Sequence, residues 1–151
     1  MSFVFDATKP IAIGADHAGV AYKDDIKTWL EAQGYKVTDF GTHGGASVDY
    51  PDFAHPTASS VETGAAAFGI LFCGSANGVA MTANKHAGIR AGLCWQTDVA
   101  ELTRLHNDAN IICIPARYVS ISLAKEMIEK FMTTEFEGGR HQNRVNKITC
   151  A

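Results

Sequence analysis

The sequence predicts an α/β fold: a three-layer α/β/α sandwich around a five-stranded parallel, Rossmann-like sheet. Two observations carry the prediction. Short aliphatic runs alternate along the chain with longer stretches whose apolar residues recur at helical spacing, the alternation that βαβ units produce. Several of the short runs, such as "FGILFC" and "NIICI", are almost unbroken in apolar residues, as strands buried on both faces of a parallel sheet must be. With 151 residues, 46% of them hydrophobic, the chain is expected to form one domain, 1–151, with a single sizeable core.

The elements follow in order. A first strand is read at Ile11–Gly14. Tyr22, Ile26, Trp29 and Leu30 then repeat at i, i+4, i+7 and i+8, one face of a helix, and Gly34 stops it. Strands are read at Tyr35–Phe40, Phe68–Cys73 and Ile89–Cys94. Trp95, Val99, Leu102 and Leu105 form a helical stripe, with Thr97, Asp98 and Glu101 resembling a capping box at its start. Asn110–Ile114 reads as the fifth strand, and Leu123, Ala124, Met127, Ile128 and Phe131 as the stripe of another helix. Residues 1–9, ahead of Pro10, read as a flexible lead. Residues 138–151 read as a basic tail in which Arg140 and Arg144 share one face if it is helical.

Charge and cysteine usage exclude several classes. A formal net charge of −3 offers no footprint for a nucleic acid or an anionic membrane, so any anion must be held by a local cluster of cations. No run approaches the roughly 18–20 apolar residues of a membrane span, and "MSFVFDATKP" lacks the pattern of a signal peptide. Four cysteines, none spaced as C-x-x-C, imply reduced thiols in a cytoplasm instead of a disulfide frame or a zinc site. Cys94 and Cys113 sit in strand-like runs and read as small buried hydrophobes.

In a parallel sheet, ligands gather outside the carboxyl ends of the strands, so the loops there deserve inspection. "GADHAG", Gly14–Gly19, is neither G-x-G-x-x-G nor a Walker A loop, since Val20 and Ala21 stand where Lys and Ser/Thr are required. It offers Asp16 as a helix cap or hydroxyl acceptor, and His17 as an anion ligand. "CGSANG", Cys73–Gly78, combines a thiol with backbone amides at a helix start, a place for negative charge. That environment is expected to lower the thiol pKa and to suit either a nucleophile or a base. A phosphatase-type Cys-x5-Arg is excluded, because the sixth residue after Cys73 is Val79. "RLHNDAN" places His106 and Asn107 just before the fifth strand, and Arg117 lies just beyond it.

Taken together, "GADHAG", "DYPDFA", "CGSANG" with "ANKHAGIRA", "RLHNDAN" and "EGGRHQNRV" resemble, in order and spacing, the ribose-5-phosphate isomerase B family. That family also includes the galactose-6-phosphate and allose-6-phosphate isomerases. The resemblance runs from Ile11 to Ile148. It implies an aldose–ketose isomerase acting on ribose 5-phosphate and ribulose 5-phosphate through a cis-enediolate, with no metal and no redox cofactor. By the same resemblance Cys73 is the base, and Gly74, Ser75, Ala76, Asn77 and Gly78 form the anion hole, with Ser75 also at the reacting end. His106 opens the sugar ring beside Asn107, and Asp16 binds a sugar hydroxyl. His17, Arg117, Arg140 and Arg144 hold the phosphate, and the partners are the sugar phosphate and a second copy of the chain. The resemblance places the active site at the interface of a homodimer, or of a dimer of dimers, with part of the phosphate set donated by the second copy.

Two positions depart from the family pattern. Part of the family carries a glutamate base where this chain has Val79, which leaves Cys73 as the candidate. Ala76 stands where many members have glycine, a substitution that is costly if the position has positive φ. Two other functions are open to these motifs: a six-carbon aldose-phosphate isomerase, or a non-catalytic sugar-phosphate or nucleotide-binding module on the same fold.

Overall fold

Residues 2–150 are described in a computed structural model of the chain. The elements are β1 (Ile11–Ala15), α1 (Val20–Ala32), β2 (Val37–Asp39), α2 (Pro51–Glu62), β3 (Gly69–Cys73), α3 (Asn77–Ala83), β4 (Ala91–Leu93), α4 (Thr97–Leu105), β5 (Ile111–Pro115), α5 (Ile121–Thr133) and α6 (Arg140–Asn146). The strands form one parallel sheet in the order β2-β1-β3-β5-β4, the sheet that the alternating pattern predicts.

Period-two alternation explains why the inner strands are apolar throughout. Ile11 and Ile13 of β1, Ile70 and Phe72 of β3, and Ile112 and Ile114 of β5 pack into one core with Ile26 and Leu30 of α1, Ala100 of α4 and Met127 and Phe131 of α5. Their neighbours Ala12, Leu71, Cys73, Ile111 and Cys113 pack into the other with Ala54, Ala58 and Val61 of α2 and Val79, Ala80 and Ala83 of α3. Burying each of the larger side chains contributes about 1.5–3 kcal/mol. Cys94 and Cys113 are fully buried within this packing.

The chain leaves β1 through α1 on one face and β3 through α3 on the opposite face. Neighbouring strands from which the chain departs to opposite sides define a topological switch point, and a crevice opens there between their carboxyl ends. The loops of Asp16 and Cys73 meet at this crevice.

Several expectations are corrected. α2 was not expected as a helix. Its buried positions, Ala54, Thr57, Ala58 and Val61, keep helical spacing, but small residues carry the stripe and Pro56 interrupts it. The edge strands β2 and β4 span three residues each, fewer than predicted. Each pairs with one neighbour only, so the apolar residues flanking it pack without a ladder. No capping box starts α4: Gln96 is the N-cap without a side-chain cap, and Asp98 accepts instead from the adjacent Val99 amide at 2.9 Å.

The expected flexible lead is also corrected. Val4 donates its amide to Met132 at 2.9 Å, and Phe5 stacks on Phe68 and Phe131 at 4.6 and 5.7 Å. The buried Arg104 guanidinium lies 4.7 Å over the Phe5 ring. Two aromatic side chains in so short a segment supply enough apolar surface to anchor it.

Candidate active site

The crevice at the switch point is a cleft of about 450 Å3, within the usual size range of small-molecule sites. Asp16, His17, Cys73, Gly74, Ser75, Asn77, Gly78 and Arg117 line it, all of them candidates from the sequence. Ala18, Tyr50, Met81 and Tyr118 complete the lining and were not assigned roles from sequence. Tyr50 stands inside "DYPDFA", immediately before the unrecognised α2, so nothing indicated that its ring would face the loop after β3.

Each side chain has a local reason for its place. Asp16 follows β1, and its Oδ1 accepts from the amides of Ala18 and Gly19 at 2.9 and 3.2 Å. This Asx turn starts the chain into α1, while the N-cap position itself is Gly19. His17 Nδ1 accepts from the Val48 amide at 3.2 Å. An accepting Nδ1 puts the proton of a neutral imidazole on Nε2, ready to donate to an anion. Beyond β5 the chain continues against the Cys73 loop: Ala116 donates to Cys73 O at 2.9 Å and Arg117 to Gly74 O at 3.1 Å. A Cβ on Gly74 would stand 3.0 Å from the Arg117 guanidinium, and one on Gly78 would stand 2.5 Å from the Tyr50 ring. Both glycines therefore let a functional side chain lie against the loop.

Ala76 has φ 63° and ψ 0°, the left-handed conformation, and is fully buried. The conformation costs an alanine about 1–2 kcal/mol, and burial of its methyl in the α2–α3 core offsets part of that. The loop thus keeps a glycine-like backbone without glycine. Ser75 is exposed, with its hydroxyl 3.4 Å from the Asn77 amide and 3.3 Å from Asn77 Nδ2.

The Cys73 thiol is 5% exposed. Its pKa is raised, against expectation. Burial pushes it up most, the Asp16 carboxylate adds to that, and the amides of Val79, Ala76 and Gly78 only partly oppose them. Helix-start dipoles do favour the thiolate here, but desolvation is the larger effect. Val79 itself is 1% exposed, an apolar side chain in the core.

The remaining candidates do not reach this cleft. His106 is the C-cap of α4 and Asn107 follows it, so both precede β5 and lie at the amino end of the sheet. Cys73 lies at the carboxyl end of β3. The five residues of β5, about 16 Å of extended chain, separate the two ends. Asn107 lines a different cleft with Arg90, Thr103 and Ile148. Arg140 and Arg144 are exposed on α6. One copy of the chain therefore carries two separated half-sets, one at each end of the sheet.

The amino-end set includes a cluster not singled out from sequence. The His106 and His141 rings stack at 4.3 Å with 14° between their planes. Glu137 lies 3.9 Å from His106 Nε2 and 3.8 Å from His141 Nε2. These three residues have ligating atoms within 4.8 Å of one another. Nearly parallel stacked rings cannot both direct a lone pair at one ion, because a ligated metal lies in the plane of each ring. The arrangement fits a proton-bearing pair better than a metal centre.

Comparison with known proteins agrees with the fold. The profile of the Ribose/Galactose Isomerase family matches residues 11–148. Ribose-5-phosphate isomerase B of Escherichia coli is 42% identical over 142 residues, 94% of this chain and 95% of that protein. The crystal structure of the Thermotoga maritima ribose 5-phosphate isomerase superposes with a TM-score of 0.91 at 43% identity, covering 93% and 97% of the two chains. The Mycoplasma genitalium ribose-5-phosphate isomerase B, solved with bound ribulose-5-phosphate, gives 0.90 at 38% identity, covering 95% of each chain. With its profile, its sheet and its relatives in agreement, the chain belongs to the ribose/galactose isomerase family, the family of the type B ribose-5-phosphate isomerases.

Proposed function

We propose that the protein interconverts D-ribose 5-phosphate and D-ribulose 5-phosphate through a cis-enediolate, with Cys73 as the base. The observation that carries this reading is the seat of Cys73: a thiol at the carboxyl end of β3, beneath a left-handed loop, in a cleft also lined by His17 and Arg117. A relative of 38% identity and the same fold binds ribulose-5-phosphate.

The chemistry follows from the residue types. Ring opening breaks the C1–O4 bond; His106 delivers a proton to O4 as the anomeric hydroxyl loses its own to water. The Cys73 thiolate then takes the C2 proton, and the electron pair moves onto O1. Amides of Gly74–Gly78, with Ser75, stabilise that oxyanion; one such donor is typically worth about 3–4 kcal/mol. Returning the proton to C1, while the O2 proton passes to O1, gives the ketose. Asp16 accepts from a sugar hydroxyl. The phosphate needs several donors, supplied by His17, Arg117, Arg140 and Arg144, whose guanidinium forks suit its oxygens.

His106, Asn107, Arg140 and Arg144 reach the Cys73 cleft from a second protomer of a homodimer in this reading. Two features support it. The half-sets lie at opposite ends of one chain's sheet. Met81, Trp95 and Tyr118, around the cleft and its neighbour, are 66%, 50% and 77% exposed, an apolar surface of the kind partners cover.

The test is a panel of five- and six-carbon aldose phosphates assayed with wild type and Cys73→Ala. We expect the highest kcat/KM on ribose 5-phosphate, and a fall in kcat of at least about 10²–10⁴-fold in the variant with substrate binding retained. Preference for a six-carbon phosphate overturns the substrate, and wild-type turnover by Cys73→Ala overturns the base. Absence of solvent proton exchange at C1 and C2 during incubation with ribose 5-phosphate would point to a binding module.

A further inference from the structure

We propose that His141 and Glu137 are positioning residues for His106, forming with it a stacked imidazole pair that shares one carboxylate. The proposal rests on the assignment of ring opening to His106 made above.

α6 buries a single side chain, and that side chain is a histidine. His141 is 4% exposed on a helix whose other residues are exposed or half-buried. An apolar residue would fill such a position more cheaply, since the buried His141 Nε2 has no hydrogen-bond partner among the described residues. What the imidazole provides is a flat face against His106, with ring centroids 4.3 Å apart. His106 is held at the end of α4 by its amide, 2.9 Å from Leu102 O, and the Glu137 amide donates to Leu105 O at 3.0 Å. The carboxylate and both rings are thus referred to the same helix end.

Charge divides unequally within the pair. Two stacked imidazoles cannot both be protonated without repulsion. His141 is held below the ordinary imidazole range, first by burial and then by the charge of His106; Arg140 and Arg144 on its own helix act in the same sense and Glu137 in the opposite one. In the ring opening proposed above, His106 is the proton carrier and His141 its neutral neighbour. Glu137 offers Oε2 to His106 Nε2 at 3.9 Å and Oε1 to His141 Nε2 at 3.8 Å. Both distances exceed hydrogen-bond length by about an ångström. A small shift lets the carboxylate support the His106 imidazolium before proton delivery and accept from His141 Nε2–H afterwards. His141 fixes the plane of the His106 ring, and Glu137 sets its readiness to hold and release a proton.

The experiment compares ribose 5-phosphate, which must be ring-opened, with ribulose 5-phosphate, which is already open-chain. It uses the purified full-length enzyme and four variants. His106→Gln is expected to lose kcat/KM on ribose 5-phosphate by about 10²-fold, and much less on ribulose 5-phosphate. Glu137→Gln, at an exposed position that does not threaten folding, is expected to show the same selective loss at about tenfold. His141→Ala is expected to lose about tenfold selectively, and His141→Phe, which restores the stacking face, to recover most of that loss. If His106→Gln is selective while Glu137→Gln and His141→Ala leave the substrate ratio at its wild-type value, the positioning role is wrong and ring opening by His106 stands. If His106→Gln loses both substrates equally, the assignment of ring opening fails and the proposal falls with it.

Discussion

Cys73 sits between opposing influences. Burial and the Asp16 carboxylate raise its pKa, while three loop amides favour the thiolate. Since the raising influences win, the free enzyme holds mostly thiol at neutral pH, and thiolate increases as pH rises. The proposed base therefore predicts that kcat/KM on ribulose 5-phosphate, which needs no ring opening by His106, climbs from pH 6 upward, by about tenfold per unit while the thiol remains protonated. Asp16→Asn removes a raising charge, so its limb should begin at lower pH even though hydroxyl binding weakens. Stopped assays with ribulose 5-phosphate across pH 6–10 check this, and a flat wild-type profile on that substrate would exclude a thiol base. The location of Cys73 was legible because a strand end followed by small residues is a local pattern. The sign of its pKa shift was not legible: the carboxylate comes from the loop after β1, and the burial comes from α2 and α3.

Among the elements, β2 and α1 are joined by an ion pair whose cation is fully buried. Lys23 is fully buried, 2.6 Å from Asp39 and 2.7 Å from Asp24. Burial raises the Asp39 pKa, but the Lys23 hydrogen bond, the Gly41 amide and the charges of Lys23 and His43 outweigh it, leaving a net lowering. A carboxylate with a depressed folded pKa stabilises above its unfolded value near 3.9, and that contribution is lost as pH falls through the folded value. Asp39→Asn should cost about 3 kcal/mol at pH 7, the low end for breaking a buried pair because Asp24 remains. Its stability should also depend less on pH between about 5 and 2 than that of wild type. Urea midpoints at several pH values measure both effects, and a cost under about 1 kcal/mol would show the pair to be dispensable. Elements were legible where large aliphatic residues marked their period, as in β3, β5 and α5. They were missed where Ala and Thr carried the buried stripe, as in α2, and misjudged in the lead, where Phe3 and Phe5 find a surface assembled from Tyr35, Phe68 and Phe131.

At the scale of the molecule, the proposed reaction requires groups that one chain holds at opposite ends of its sheet. Order along the sequence placed His106 before β5 and Arg117 after it, so the separation was implicit in the strand assignment. The stacking of His106 on His141 depends on how α6 returns to the α4 end and could not be read locally. A homodimer that completes each cleft with the second protomer's His106 makes a quantitative prediction. Cys73→Ala and His106→Gln are each expected to turn over ribose 5-phosphate at about a hundredth of the wild-type rate or less as homodimers, because both of their sites carry a defect. In a mixed dimer one site collects both defects, and the other combines an intact Cys73 half with an intact His106 half. Random exchange makes half of the dimers mixed, and one site in two of those is whole, so ribose 5-phosphate turnover should recover to roughly a quarter of wild type. The two variants are unfolded together, refolded by dilution and assayed beside the same material refolded separately. Recovery in the mixture alone locates the site between protomers; a mixture no more active than its parents would place every catalytic group within one chain and require the amino-end histidines to act elsewhere.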